Sequence, residues 1–378
     1  MPSSILTFIE SVDDFRRPSH IHYPLNEILF LLLSAVVSGA DKFTTIQTFG
    51  QRKLDWLRQY YPYKSGIPDP DTLNRVLSKL CHRGFEKLFI DWVSNGYKLP
   101  NGLIINIDGK ALRRSATKQE QQTKHSKGGK NAIHIVHAWS SQLKLCIGQY
   151  KTASKSNEIN AIDALLDLLP IEGAIITIDS MGCQRKIATK IVKEKKSDYL
   201  LAVKGNQAKL EAAVTVAFNT ACTYEQSSVQ HDKAHGRIEE RYCQVLDASL
   251  LPAHIRKLWT GLASLICVRA RRHVIASNTI TEYTRYYISS VACNRLDFNQ
   301  LVRCHWGVEN KLHWCLDVQF FEDASTKRKD NLPQNYSLIL KVATNLLKQQ
   351  TDKQSIPSRR FACGLSDKYR EQVLKIRT

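Results

Sequence analysis

The run LIINIDGK at 103–110 is answered by AIITIDSMG at 174–182, and both contain Ile-Ile-x-Ile-Asp. The acids, Asp108 and Asp179, lie 71 positions apart. A β-branched apolar run that stops at an acid followed by turn formers suits a strand buried on both faces of a sheet. If the two strands are parallel neighbours, both carboxylates emerge at one sheet edge, where α/β proteins place their chemistry. Two acids held together there repel, and a divalent cation is the usual remedy. The competing reading is that each Asp merely caps the turn or helix that follows it.

The neighbouring segments fit a sheet. Residues 133–139 and 143–150 alternate as a hairpin across Ser140-Ser141-Gln142, and Ser156 can cap a helix at 157–169. A helix at 184–194 and a strand at 198–203 follow the second aspartate. Strand, hairpin, helix, strand, helix, strand is the order of a mixed α/β sheet flanked by helices, and it matches a ribonuclease H-like core at 99–204. Residues 1–98 read as helical, with helices predicted at 24–37, 44–61, 73–80 and around Phe85–Trp92. They suit either a helix-turn-helix showing Asn74, Arg75, Lys79, His82 and Arg83 outward, or a small bundle packed on the rest of the chain. Residues 205–295 contain three predicted strands, at 238–246, 264–271 and 282–291, and form a β-rich insertion with Arg237, Arg241, Arg269, Arg271 and Arg272 on a basic face. Two helices at 296–350 return to the core, and 351–378 reads as a basic peripheral tail.

Charge narrows the partner. With 54 Lys+Arg against 35 Asp+Glu the chain carries +19, which favours a polyanion, most simply nucleic acid, with strongly salt-dependent binding. The most apolar run, 28–40, is too short to span a bilayer and lies too far into the chain for a signal peptide, so no membrane partner is expected. Ten cysteines without a CxxC pair, scattered in apolar segments, read as reduced and buried. Cys304, His305, His313 and Cys315 fit no familiar zinc spacing. Lys204-Gly205-Asn206-Gln207 is a turn rather than a phosphate loop, so no nucleotide cofactor is expected. Residues 109–130 hold seven Lys/Arg and one acid, with no apolar face, and read as a loop starting at a candidate catalytic strand. Such a run is either solvated surface or a phosphate-contacting segment.

A two-metal site needs a third carboxylate. Glu309, in HWGVEN, is the candidate, expected to lie buried among Trp306, Val308 and Leu312, where an ion would compensate it. A surface Glu paired with Lys311 or Arg303 is the alternative, and Glu158, Asp317, Glu322 and Asp323 compete for the role. In order, IDGK, TIDSMGCQ, DYLLAVKGNQ, HGRIEER, YYISS and HWGVENKLHWCLDVQFFED resemble the DDE transposases of bacterial insertion sequences, and among these the H-repeat-associated proteins with an N-terminal DDE-associated domain. The likeness runs from about residue 5 to 350.

That resemblance implies an interrupted ribonuclease H-like catalytic domain and an acidic triad of Asp108, Asp179 and Glu309 holding two Mg²⁺, replaceable by Mn²⁺. It implies a homodimer acting in the cytoplasm on double-stranded DNA, at transposon ends and target. Expected DNA contacts are Lys110, Arg113, Arg114, Lys155, Asn157, Lys204, Asn206, Gln207, Arg237, Asn310 and His313. Relatives often carry Tyr, Arg and Lys around the third acid. Here those positions are Val302, His305 and Leu316, leaving His305 and Arg303 as candidate phosphate donors.

Overall fold

The computed structural model describes residues 4–116, 132–152, 158–234 and 236–376. The strands are β1 (Ile104–Leu112), β2 (Ile133–Ser140), β3 (Leu145–Lys151), β4 (Ile175–Ile178), β5 (Asp198–Val203), β6 (Gln226–Ala234), β7 (Arg237–Asp247), β8 (Ser264–Val274) and β9 (Thr279–Ser289). They form one mixed sheet in the order β3-β2-β1-β4-β5-β9-β8-β7-β6. The two Ile-Ile-x-Ile-Asp runs are its centre. β1 and β4 are parallel neighbours, from Ile104↔Ile175 to Ile107↔Ile178, and β4 is parallel to β5. Because helices cover both faces, residues of both pleats are buried, which explains the unbroken apolar runs.

The β-rich stretch is no separate layer. β9 pairs antiparallel with β5 from Leu200↔Ser289 to Val203↔Tyr286, so β9, β8, β7 and β6 extend the core sheet. β6 was not among the predicted strands. It is an edge strand whose residues are all at least partly exposed, so it carries no apolar alternation to read.

The helices before the sheet are α1 (Ile5–Glu10), α2 (Leu25–Val37), α3 (Phe43–Arg52), α4 (Leu54–Leu57), α5 (Pro70–Lys79) and α6 (His82–Gly96). α2 is apolar nearly all round and correspondingly buried, and it stops where Gly39 turns to φ +94°. Asp69 caps α5 by accepting from the Thr72 amide at 2.6 Å, with Pro70 at the first helical position. The helix predicted at 44–61 is broken at Lys53 into α3 and α4. α7 (Glu158–Leu168), α8 (Arg185–Thr189), α9 (Ala208–Thr220) and the short α10 (Ala253–Arg256) follow. α11 (Phe298–His305), capped by Asp297, leads through a π-helical turn, Val308–His313, into α12 (Trp314–Gln319).

The long α13 (Leu332–Lys348) packs against α2, α5, α6 and β3, so the N-terminal helices share a continuous core with the sheet. Arg83, expected on an outer DNA-reading surface, instead ties α6 to the sheet. It meets Glu86 at 3.2 Å, donates to the Lys151 carbonyl and lies 3.6 Å from the Tyr150 ring centre. Arg75 and Lys79 do face outward, Lys79 paired with Asp330.

The predicted tail is also no tail. α14 (Ile356–Leu365) and α15 (Asp367–Leu374) bury Cys363, Val373 and Leu374. Arg360 donates to the Val36 carbonyl and pairs with Asp41, while Arg359 donates to the Leu347 carbonyl, so these arginines close the C-terminal ends of α2 and α13. No helix among the described residues is long and apolar enough to cross a membrane.

Candidate active site

The paired register ends at Ile107↔Ile178, which leaves Asp108 and Asp179 side by side at one edge of the sheet. Their backbones then part. β1 continues along β2 to Leu112, with Asp108 opposite His137, whereas Asp179 leaves its strand and turns. Its carboxylate accepts from the amides of Met181 (3.0 Å) and Gly182 (3.4 Å), so Asp179 caps its turn as well as facing Asp108. Gly182 is required by close approach: a Cβ there would lie 2.2 Å from Ile178 Cγ2. Burial, and then the charges of Asp179 and Glu309, push the Asp108 carboxyl up to about 8. Asp179 is also raised by burial, against the two backbone donors and Lys204.

Glu309 departs from expectation. Val308 and Leu312 are buried beside it, but Glu309 itself is exposed, because the π-helical turn borders the open sheet edge. It therefore needs no cation to survive burial, yet its charge reaches Asp108. Glu158, one of the competing acids, enters from the first turn of α7. A Cβ on Gly109 would lie 1.6 Å from Glu158 Oε1, and the Glu158 charge also acts on Asp108. Four carboxylates thus surround one sheet edge.

The other competing acids belong to a separate, buried ionic network around Lys110. Since β1 runs to Leu112, Lys110 is a strand residue and not the first residue of a loop. Its ammonium pairs with Asp317 and with Glu322 (2.5 Å), and Lys341 approaches Glu322 at 3.6 Å. Lys110, expected as a DNA contact, is instead buried with its charge committed to these carboxylates. His313, another expected DNA contact, is also buried, with Nε2 3.0 Å from His137 Nδ1 and Nδ1 3.6 Å from Asp108 Oδ2. His305, a candidate phosphate donor, is likewise buried, and its Nδ1 lies 2.9 Å from Thr177 Oγ1. Burial keeps both neutral, lowering His305 to about 4 with Arg285 and His313 to about 3 with Lys110.

Asn206 donates to the Ser180 carbonyl (2.7 Å) and Gln207 to that of Cys183 (2.9 Å), so both brace the turn after Asp179. Lys204 is exposed beside Asp179, Asn310 is exposed beside Glu309, and Arg113 and Arg114 project into solvent, Arg113 near Asp323. Arg237 sits where β7 begins, at the end of the β6–β7 hairpin beyond the strand pairs that join β9 to β5. Arg303 pairs with Asp232, and Glu239 and Glu282 face Arg272 and Arg271, so part of the basic face is neutralised locally. Lys155 and Asn157 lie outside the described residues, as does most of the basic segment after Ala116.

Sequence reasoning missed the polar layer beneath the acids. The variable position of each Ile-Ile-x-Ile-Asp run, Asn106 in one and Thr177 in the other, is its single polar residue before the acid. The two pair in register, with Asn106 Nδ2 donating to Thr177 Oγ1 at 2.8 Å. A lone amide and a lone hydroxyl at matched places in two apolar strands were the available signal.

The donor chemistry fits a hard divalent cation: carboxylates crowd one edge, the raised Asp108 lacks a countercharge of its own, and Lys110 is committed elsewhere. Among the described residues, however, no three Asp, Glu, His or Cys side chains converge closely enough to hold an ion as they stand, and the Cys304, His305, His313, Cys315 set does not assemble.

Residues 100–346 match the family described as "Transposase DDE domain" and residues 6–93 that described as "DDE_Tnp_1-associated". The chain belongs to the DDE transposase family. It is 40% identical over 376 residues to the "Putative transposase YncI" of Escherichia coli O157:H7, covering 98% of this chain and 94% of that one. It is 38% identical over 378 residues to the "H repeat-associated putative transposase YhhI" of E. coli K12, covering 98% and 95%. A cryo-EM structure of a piggyBac transposase synaptic complex with hairpin DNA superposes with a TM-score of 0.46 at 15% identity, over 96% of this chain and 75% of that one, a likeness too remote to inform the site.

Proposed function

We propose that this chain is a DNA transposase with a ribonuclease H-like catalytic core, cleaving at transposon ends and joining the freed 3′-hydroxyl to target DNA. The observation that carries the reading is the placement of Asp108 and Asp179 at the ends of adjacent parallel strands, with the Glu309 charge reaching Asp108. The order β3-β2-β1-β4-β5, with β1 antiparallel to β2 and parallel to β4, supports the core assignment.

Asp108, Asp179 and Glu309 would hold the metal. Bound Mg²⁺, or Mn²⁺ in its place, would neutralise these acids, activate a water or 3′-hydroxyl and take up charge on the leaving oxygen. Exposed Lys204 and Asn310 border the edge where a phosphodiester would lie, exposed Arg113 and Arg114 follow the end of β1, and the net +19 draws the duplex in. In the first reaction water attacks phosphorus and the 3′-oxygen leaves. In the second that 3′-oxygen attacks a target phosphodiester and displaces another. A homodimer would bring two ends together.

Asp108→Ala should abolish Mg²⁺-dependent cleavage of terminal-repeat DNA and leave DNA binding intact; unchanged cleavage removes the triad assignment. The exposure of Glu309 and the unconverged donors favour one second reading, a silent transposase that still occupies repeat ends. Salt-sensitive binding by the wild type without metal-dependent nicking would select it.

A further inference from the structure

Glu309 is exposed on a π-helical turn, so its own packing does not hold it beside Asp108. Its neighbours along the helix do. His305 and His313 lie four residues before and after it, and both are buried, His305 against β4 and His313 against β2 and the Asp108 carboxylate. His305 reaches β4 at Thr177, two residues before Asp179, and through Thr177 it reaches Asn106, two residues before Asp108. His313 reaches β2 at His137, which stands opposite Asp108, and its other nitrogen faces the Asp108 carboxylate.

We infer that His305 and His313 are positioning residues, two anchors that set the helix carrying Glu309 in register on the strands carrying Asp108 and Asp179. The inference rests on the triad reading above.

The hydrogen-bond roles are consistent with neutral imidazoles. The Thr177 hydroxyl accepts from Asn106 and so spends its proton on His305 Nδ1, which accepts. His313 Nε2 lies 3.0 Å from His137 Nδ1 while its Nδ1 faces Asp108 Oδ2, so the ring bridges β2 and the Asp108 carboxylate in either tautomer. Each anchor thus joins the third-acid helix to a point within two residues of an aspartate, where a small shift of the helix would displace Glu309 from the common site. Outer contacts of this kind typically change metal affinity by about 10–100-fold when removed.

The test is Mn²⁺ affinity of the full chain by calorimetry, read beside thermal stability and beside duplex DNA binding in EDTA. Thr177→Val removes one hydroxyl and keeps the shape, and His313→Phe keeps a ring without its nitrogens. Both should bind Mn²⁺ about tenfold or more weakly and need correspondingly more metal for cleavage, at wild-type DNA affinity in EDTA. Folded variants with wild-type Mn²⁺ affinity would overturn the inference, and if His313→Phe fails to fold, Thr177→Val decides. Glu309→Gln separates the two levels: if it binds Mn²⁺ like wild type, or if wild type binds none, the triad reading fails and the inference falls with it. If Glu309→Gln loses affinity while both anchor variants keep it, the triad stands and only the anchors fall.

Discussion

Asp108→Asn should stabilise the metal-free protein, and by an amount that grows with pH. The folded chain holds the Asp108 carboxyl up at about 8 against an ordinary 3.8, so between those values it keeps a proton that the unfolded chain has released. Stability therefore falls as pH rises from about 4 to about 8, and the loss is complete above that. The gap between 3.8 and about 8, at about 1.36 kcal/mol per pH unit, sets an upper limit of about 5–6 kcal/mol. The side chain is 16% exposed, and counterions relieve part of the repulsion, so about 2–4 kcal/mol is the expected gain of the variant at pH 9. At pH 5 the gain should be small. Urea unfolding in EDTA at pH 5, 7 and 9 measures it, and added Mg²⁺ should stabilise wild type but not the variant. Parallel pH curves for the two proteins would mean that Asp108 is not held among uncompensated acids, and the electrostatic case for a cation site would go with it.

The buried network offers the opposite sign. Burial alone would raise Glu322, but Lys341 and Lys110 outweigh it and hold the carboxyl down to about 2, so its contribution is present above about pH 4.5 and disappears as pH falls towards 2. Glu322→Gln should cost about 3–5 kcal/mol at pH 7, leaving two buried ammonium groups short of a partner, and should flatten acid unfolding below pH 4.5; an unchanged midpoint would refute it. Gly182→Ala forces a methyl against Ile178 and Ile162 beneath Asp179 and should cost about 1–3 kcal/mol in denaturant unfolding, whereas a neutral result would show that the turn yields. Truncation after Gln354 removes α14 and α15, uncaps α2 and α13, and should yield an aggregating chain with exposed apolar surface by dye binding. A soluble truncated protein with wild-type melting temperature would restore the peripheral-tail reading.

The central strands and their parallel pairing were legible because strands buried on both faces leave an unbroken apolar run, and the repeat of that run put two acids at equal depth. Lys110 and the C-terminal arginines were misread for one physical reason. Charge counting treats every cation as solvated, yet Lys110, Arg359, Arg360 and Arg370 are buried and spend their charge on carboxylates and on helix-end carbonyls. Periodicity cannot separate an arginine that closes a helix end from one in water, least of all Arg360, whose carbonyl partner Val36 lies 324 positions away in the chain. β6 was hidden for the converse reason, as an edge strand has no buried face to imprint on its sequence.

Glu309 is the instructive case. Its part in the site was sought in its own burial, on the argument that a buried acid must have a cation, and that argument does not apply to an exposed side chain. What ties its helix to the aspartates is the pair of histidines a turn away on either side and the amide and hydroxyl inside the two apolar strands. His305, Thr177 and Asn106 bond to one another across elements, and His313 bonds to His137, which lowers the cost of their burial. A polar residue that interrupts an apolar strand just before a strand-end acid is therefore better read as a contact to the element bearing the next functional group than as a lapse in the pattern.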